Sequence, residues 1–178
     1  VFSNPPVGSD NGNTSDLTTA YYVAQSFSGV ASTVSSVTFW TIFTSAPPAT
    51  KDYVIEIYEA GAVPGALLSS ETLTLTPVNT GVQVIGYDTY VFTAEITPIA
   101  ATDGWVVVKA VAGPPTNYWL NTYNGAGSAL QWTGSSYTNL APASMAMCLG
   151  GGGAGNWLTL GEYEGMVNGG GSSYNLAA

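Results

Sequence analysis

Short runs in which apolar and polar residues alternate are the feature that most limits how this chain can fold. Residues 53–59, 71–76 and 90–96 each alternate in this way and end near turn-forming residues. Such alternation predicts an antiparallel strand with one buried face. No stretch keeps the period of about 3.6 residues that marks an amphipathic helix, so the sequence predicts an all-β fold. The apolar faces of these three runs consist of Tyr53, Ile55 and Ile57, of Leu73 and Leu75, and of Tyr90, Phe92, Ala94 and Ile96.

Two further runs, residues 37–44 and 105–111, are apolar on both faces. Runs of this kind are typical of central strands, or of strands whose outer face is covered. Clusters of Pro, Gly and Asn separate the runs, as expected for turns. The remaining strand candidates are residues 21–27, 118–123, 130–133 and 144–149. The total of about ten strands is enough for two packed sheets, so we predict a two-sheet antiparallel β-sandwich over residues 1–149.

Residues 150–178 differ in composition from this domain. Residues 150–153 are all glycine, which predicts a flexible hinge, and residues 168–178 are again rich in Gly and Ser. Between them, residues 156–167 have the composition of one or two more strands. We therefore expect a glycine-rich C-terminal tail that carries either an extra strand or a strand donated to a neighbour.

The low charge of the chain excludes several classes of function. Only 7% of the residues are charged, against about 25% in typical soluble domains, and the net charge is −9. Lys51 and Lys109 are the only basic residues, so no basic cluster exists to bind nucleic acid or an anionic membrane. A surface of Ser, Thr, Asn and Gly opposes packing against copies of itself only weakly. Such a surface favours a protein of an extracellular wall, fibre or coat over a cytoplasmic protein.

Several features indicate a secreted protein. The chain begins without Met or a charged leader, so we expect a mature product whose signal peptide has been removed. No apolar stretch approaches the ~20 residues of a membrane-spanning helix, and we expect no membrane insertion.

Cys148 is the single cysteine and lies in an apolar run, which predicts a buried, unreactive thiol.

Catalytic groups are scarce. Because histidine is absent, neither a Ser-His-Asp nor a Cys-His arrangement can form. Glycoside hydrolysis needs only two carboxylates, and Glu162 and Glu164 are the glutamates closest in sequence. They lie in the glycine-rich tail, where rigid catalytic geometry is difficult to maintain. The sequence therefore predicts that the protein is not an enzyme and requires no cofactor.

Residues 10–16 are rich in oxygen ligands around a glycine. Asp10, Asn11, Asn13 and Asp16 offer the carboxylate and amide oxygens that Ca²⁺ prefers. Their spacing does not match an EF-hand loop, and turns rich in Asp and Asn also form without metal, so a calcium loop and a plain turn both remain open. Asn13 also begins the only N-glycosylation sequon, which predicts a glycan at Asn13 in a host with that pathway.

Aromatic residues are the other candidates for contacts with ligands or partners. Exposed rings stack on sugars or contact another subunit, whereas buried rings fill a core. Alternation places Trp119, Asn121 and Tyr123 on one face of a strand, and the polar Asn121 predicts that this face is not fully interior. The candidate ligand or interface aromatics are Trp40, Tyr118, Trp119, Tyr123, Trp132 and Tyr137.

The order and spacing of nine short segments carry a family resemblance. The segments are residues 4–6, 11–13, 24–27, 34–40, 54–58, 64–68, 104–108, 118–119 and 131–132. They resemble a family of bacterial secreted β-sandwich domains, found in exported and surface-anchored proteins that include ones with PEP-type sorting signals. The resemblance covers residues 2–149 and implies a jelly-roll-like sandwich, similar to many carbohydrate-binding modules, and an extracellular location. The near absence of Lys and Arg and the added tail depart from that family.

Two functions are compatible with these observations. The first is a structural subunit whose copies assemble into a surface filament, sheath or layer by adding a strand from the N-terminal arm (residues 1–16) or the tail to a neighbour's sheet edge. Such head-to-tail contacts do not close on themselves and therefore give fibres. The second is a non-catalytic carbohydrate-binding module with glycans as partners. The residues expected at the assembly contacts are Val1, Phe2, Trp157, Leu158, Leu160 and Tyr163.

Overall fold

The structure of the chain is a computed structural model, and it describes residues 2–6, 11–111, 113–123 and 125–151. All regular secondary structure in these residues is β, as the alternation predicts. The strands are β1 (Phe2–Asn4), β2 (Gly12–Thr14), β3 (Tyr22–Ser28), β4 (Thr33–Phe43), β5 (Lys51–Tyr58), β6 (Leu67–Leu75), β7 (Val78–Val84), β8 (Tyr87–Ala100), β9 (Asp103–Ala110), β10 (Asn117–Thr122), β11 (Ala129–Trp132), β12 (Tyr137–Asn139), β13 (Ser144–Met145) and β14 (Met147–Gly150).

The strands form two antiparallel sheets that pack as a β-sandwich. The six-stranded sheet has the order β12-β11-β3-β9-β5-β6. In the eight-stranded sheet, β8 pairs along one edge of β4, while β14 and β10 share the other edge in tandem. β7 extends this sheet beyond β8, β1 lies beside β14, and β2 and β13 lie beside β10. The predicted fold class is therefore confirmed.

The core lies between the two sheets and contains the faces that the alternation predicts. Tyr53, Ile55 and Ile57 are buried there, and they oppose Phe92 and Ala94 of the other sheet. Leu73, Leu75 and Tyr90 are half-buried at its margin. Burial of these apolar faces at about 25 cal/mol per Å² is the main source of stability for such a domain.

The two strands that are apolar on both faces occupy the centre of their sheets. β4 buries its inner face in the core and its outer face, which includes Trp40 and Ile42, in a second apolar cluster. β9 does the same in the other sheet, where Trp105 and Val107 form the outer cluster. Both interpretations of these runs, central position and covered outer face, therefore apply.

Some elements differ from the expected pattern. Residues 144–149 form two strands, because the chain leaves the edge of β10 and joins β4 after Ala146. β7 was not expected, since its sequence has Gly81 at its centre and no regular alternation.

None of the described residues belongs to a helix that is long and apolar enough to cross a membrane. The tail strand expected over 156–167 lies outside the described residues.

Candidate functional site

The residues of the predicted calcium loop lie along an extended segment rather than around one point. Asp10 is outside the described residues, and Asn11 and Asp16 flank β2 on opposite sides. Extended chain advances about 3.3 Å per residue, so their Cα atoms are roughly 16 Å apart, whereas Ca²⁺ ligands lie about 2.4 Å from the ion. In this conformation Asn11 and Asp16 do not meet at one ion. Calcium binding by fewer of these residues stays a prediction.

Asp16 is buried and organises the turn that follows it. Its Oδ1 accepts a hydrogen bond from the Thr18 amide at 2.7 Å, and the Thr19 hydroxyl bonds the Asp16 carbonyl. Its Oδ2 is buried without a hydrogen-bond partner among the described residues. No group of three or more His, Cys, Asp or Glu side chains placed to hold a metal occurs in the part of the chain that the structure describes.

The sequon residues are held in place by the sheet. Asn13 is half-buried in β2, opposite Trp119 of β10. Ser15 is fully buried, and its hydroxyl donates to the Val108 carbonyl and accepts from the Val23 amide. A glycan on Asn13 stays a prediction.

Two of the candidate aromatics are in the interior, which corrects the expectation that they contact ligands or partners. Trp119 is fully buried in the core, where its indole N–H donates to the Ala146 carbonyl at 2.9 Å. Asn121 on the same strand is also buried, so this face of β10 is interior despite its polar residue. Trp40 is buried in the outer cluster of β4. Tyr123 lies beyond the end of β10 and is 44% exposed.

Trp132 and Tyr137 form a half-exposed aromatic cluster with Tyr22 on the outer face of the six-stranded sheet. The Tyr22 and Trp132 rings are stacked at 5.9 Å with an interplanar angle of 15°. The Tyr137 ring meets Trp132 edge-on at 5.1 Å. Tyr22 and Trp132 are opposite each other on β3 and β11, and Tyr137 is opposite Trp132 on β12. Tyr22 was not among the sequence candidates, because cross-strand pairing is invisible to alternation alone.

An ion pair adjoins this aromatic cluster. The Lys109 ammonium lies 2.7 Å from Glu56 Oε2 and 4.3 Å from the centroid of the Tyr22 ring. The Tyr58 hydroxyl donates to the same Glu56 oxygen at 2.7 Å. Desolvation by burial, together with this carboxylate, raises the pKa of Tyr58. Burial also raises the pKa of Tyr137, so these phenols stay neutral donors at ordinary pH.

Tyr118 belongs to a different feature, a hollow on the eight-stranded sheet with a volume of about 210 Å³. The hollow lies where β4 ends and where the turn between β7 and β8 folds over the sheet. Ile85 and Tyr87 line it and are both exposed, and Ile85 is the most exposed of the large hydrophobic residues in the described chain. The described residues that line it are uncharged, and they are Asn11, Gly12, Ile42, Phe43, Thr44, Ile85, Tyr87 and Tyr118.

The expected N-terminal donor strand is already used within the chain, which corrects its assignment to assembly. Phe2–Asn4 forms β1, which pairs with β14, and Phe2 is buried in the core. The Asn4 side-chain amide donates a hydrogen bond to the Ala126 carbonyl and accepts one from the Ala126 backbone N–H, at 2.8 Å each. Ser3 contacts Cys148, whose thiol is buried as predicted, and burial raises the pKa of that thiol. Val1, Trp157, Leu158, Leu160 and Tyr163 lie outside the described residues.

In the described part of the sandwich, β6 is an edge strand of the six-stranded sheet. This strand has 9 residues, none of them fully buried, and it pairs only with β5. It contains no Lys and no Pro, the residues that commonly block such edges. Its one charge, Glu71, turns toward the other sheet, where Oε1 accepts the Thr97 amide at 2.8 Å.

Comparisons with protein-family models, with curated proteins and with solved structures find no match to this chain. The resemblance to secreted sandwich domains therefore stays a prediction. The candidate features are the aromatic cluster with its ion pair, the hollow beside Ile85 and the open edge of β6.

Proposed function

We propose that this protein is the subunit of a self-assembling extracellular filament, sheath or surface layer, in which copies join by adding a strand to the edge of β6. The observation that carries the proposal is the open edge itself, 9 residues long. A strand of this length with a free edge is a template for pairing with another chain.

The side chains of β6 support pairing between copies. Apart from Glu71 they are Leu, Ser and Thr, and Leu67 and Leu68 are exposed. Thr is favoured in strands and Leu is tolerated there, whereas Lys and Pro at an edge keep sandwiches apart. Because the Glu71 carboxylate accepts a hydrogen bond from the Thr97 amide of the other sheet, its charge does not block pairing at the free edge.

The test places a lysine on this edge. Thr72 is exposed on β6, and Thr72→Lys is expected to leave the monomer folded but to raise the protein concentration needed for assembly, as measured by light scattering and electron microscopy. The added positive charge reduces the magnitude of the net charge of −9, so a general charge effect would favour association. Weaker assembly therefore reports on the edge itself.

The matched control is Thr138→Lys. Thr138 is exposed on β12, an edge strand of only 3 residues in the same sheet, which is too short to template a neighbour. This variant is expected to assemble like the unaltered chain. Equal assembly by both variants and the unaltered chain would show that β6 is not the contact.

A second candidate function, non-catalytic binding of neutral glycans, is favoured by the aromatic cluster. Tyr22, Trp132 and Tyr137 form a half-exposed group of aromatic rings, and the Glu56–Lys109 pair beside them offers an acceptor and a donor. A few polar groups placed around aromatic rings are the usual composition of a small-molecule site. The pair is 12% and 11% exposed, and burying such a pair seldom adds stability over apolar residues, which favours a role in binding.

A panel of neutral oligosaccharides tests this candidate. Trp132→Ala is expected to reduce the affinity for any bound glycan by roughly tenfold or more, since stacking is lost. Tyr21→Ala is the control, because Tyr21 is exposed but lies outside the aromatic cluster. Absence of binding across the panel by the unaltered chain would exclude this candidate.

A further inference from the structure

In the turn between β7 and β8, an isoleucine occupies a position where the backbone has a positive φ, which disfavours β-branched residues. Ile85 has a φ of 47°, and the next residue, Gly86, has a φ of 82°. Positive φ at both central residues defines a type I′ hairpin turn, for which Asn-Gly is the preferred sequence. Gly86 meets that preference. Ile85 does not, because a β-branched side chain crowds the backbone in the left-handed region.

Ile85 gains no burial in return for this strain. Its side chain is 60% exposed, the largest value among the exposed large hydrophobic residues of the described chain. A residue that is both strained and exposed does not stabilise the monomer. Backbone strain that the fold itself does not need is a feature of functional positions.

Ile85 stands at the rim of the hollow defined above. Tyr87 at the start of β8 also lines the hollow, together with Tyr118 and Ile42. The hollow has a volume of about 210 Å³ and opens to solvent. Apolar side chains around a hollow, with tyrosine hydroxyls and Asn11 as polar partners, fit an inserted apolar or aromatic side chain.

The end of the described chain indicates where such a side chain comes from. β14 runs antiparallel to β4, from Met147 opposite Phe39 to Gly150 opposite Ser36. The chain therefore leaves the sandwich toward the start of β4, while the hollow lies at Ile42 and Thr44, near the other end of that strand. Residues 152–178 thus begin at the end of the molecule opposite the hollow.

We propose that the hollow beside Ile85 receives apolar side chains of residues 156–167 from a second copy of this chain. This inference rests on the proposed function and names the second contact of the same assembly. The segment contains Trp157, Leu158, Leu160 and Tyr163. Because none of the described residues that line the hollow is charged, this lining does not repel Glu162 and Glu164 of the same segment.

The arrangement gives an open polymer. The described chain ends at the opposite end of the subunit from the hollow, so in this proposal each copy uses its tail on the next copy and its hollow on the previous one. Heterologous contacts of this kind extend into fibres unless the rotation between copies closes a ring.

The decisive substitution is Ile85→Asn in the full chain. Asn is favoured in the type I′ turn, so the melting temperature of the monomer is expected to stay the same or rise. The concentration needed for assembly is expected to rise by roughly tenfold or more, as for loss of a contact at the centre of an interface. A stabilised monomer that assembles poorly separates this role from a role in folding.

Val78→Asn is the matched control. Val78 lies on the same hairpin and is 58% exposed, but it does not line the hollow. This variant is expected to assemble at the same concentration as the unaltered chain. Equal effects of both substitutions would attribute the loss to general surface polarity and overturn the inference.

A mixing experiment identifies the occupant. The full-length double variant Trp157→Ser/Leu160→Ser keeps the hollow and loses the apolar tail, whereas Ile85→Asn keeps the tail and alters the hollow. Both variants also carry Thr72→Lys, which blocks pairing at the edge of β6, so each alone is expected to stay monomeric in sedimentation at concentrations where the unaltered chain assembles. Mixed together, they are expected to form a one-to-one complex, because one intact tail meets one intact hollow.

The remaining outcomes distinguish failure of this inference from failure of the proposed function. If the mixed variants form no complex, the tail does not occupy the hollow of another copy, and the inference is overturned. If the unaltered chain assembles and Ile85→Asn assembles equally well, this inference fails while the proposed function stands. If the unaltered chain does not assemble under any condition, the proposed function itself fails.

Discussion

Tyr53 shows how a single buried polar group is satisfied inside this sandwich. Its ring packs against Phe39 and Phe92 in the core, with ring centroids at 5.0 and 4.9 Å. Its hydroxyl donates to Asn117 Oδ1 at 2.8 Å, and the Asn117 amide nitrogen bonds the Ser15 carbonyl. This chain of hydrogen bonds connects β5, β10 and the segment after β2 across the core.

Removal of that hydroxyl tests the importance of the connection. Tyr53→Phe keeps the ring but leaves the buried Asn117 oxygen without this partner, and the free energy of unfolding is expected to fall by about 1–3 kcal/mol. Urea unfolding measures the change. Tyr87→Phe is the control, because Tyr87 is 43% exposed, and it is expected to change stability by about 0.5 kcal/mol or less. Equal stabilities would show that the bond contributes nothing.

The buried tyrosines also predict how stability depends on pH. Desolvation by burial raises the pKa values of Tyr22, Tyr53, Tyr58 and Tyr137 above the ordinary value of 10.0. Above about pH 10 the unfolded chain loses these protons while the folded chain keeps them, so stability falls as pH rises. Below that pH these groups contribute no pH dependence. Urea unfolding at about pH 8 and about pH 11 checks the direction, and equal values at both would contradict it.

Single residues also show where sequence reasoning stops. Cys148 was predicted to be buried from the apolar residues beside it in the sequence, and the structure confirms this. Trp119 and Trp40 were candidates for display, yet both are buried, since alternation identifies two faces of a strand without showing what covers each face. Ile85 was not singled out, because its left-handed backbone conformation depends on the turn that it forms and not on its own identity.

At the scale of elements, one ion pair joins the central strand β9 to its neighbour β5. Lys109 and Glu56 lie on the outer face of the six-stranded sheet, and both side chains are largely buried. Loss of one partner leaves the other buried without its counter-charge. Lys109→Met is therefore expected to lower the free energy of unfolding by roughly 3 kcal/mol, as measured by urea unfolding.

The double variant Lys109→Met/Glu56→Gln distinguishes charge from packing. Because it removes both charges, it is expected to recover most of the stability lost in Lys109→Met. If the double variant is as unstable as the single one, the lysine side chain stabilises the sheet by packing over Tyr22 rather than by its charge.

Which elements could be predicted follows from their local patterns. β5 and β8 alternate regularly, and β4 and β9 are apolar on both faces, so their positions were evident from the sequence. β1 and β2 were not, since strands of 3 residues gain their stability from the partners they pair with and not from their own pattern. The pairing of β1 with β14 removed the N-terminal donor strand that the sequence had indicated.

At the scale of the whole molecule, the net charge of −9 opposes association of copies. Salt screens this repulsion, and the Debye length falls from about 30 Å at 0.01 M to about 8 Å at 0.15 M ionic strength. The concentration needed for assembly is therefore expected to fall as salt is raised over this range, as followed by light scattering. Assembly that weakens with salt would indicate contacts held by opposite charges instead.

Assembly of copies of this chain into a regular structure can be observed by negative-stain electron microscopy of the full chain at physiological ionic strength, over a range of protein concentrations. We expect filaments or sheets with one repeating subunit, growing in number as the concentration rises. Monodisperse single particles at every concentration would show that the chain does not assemble.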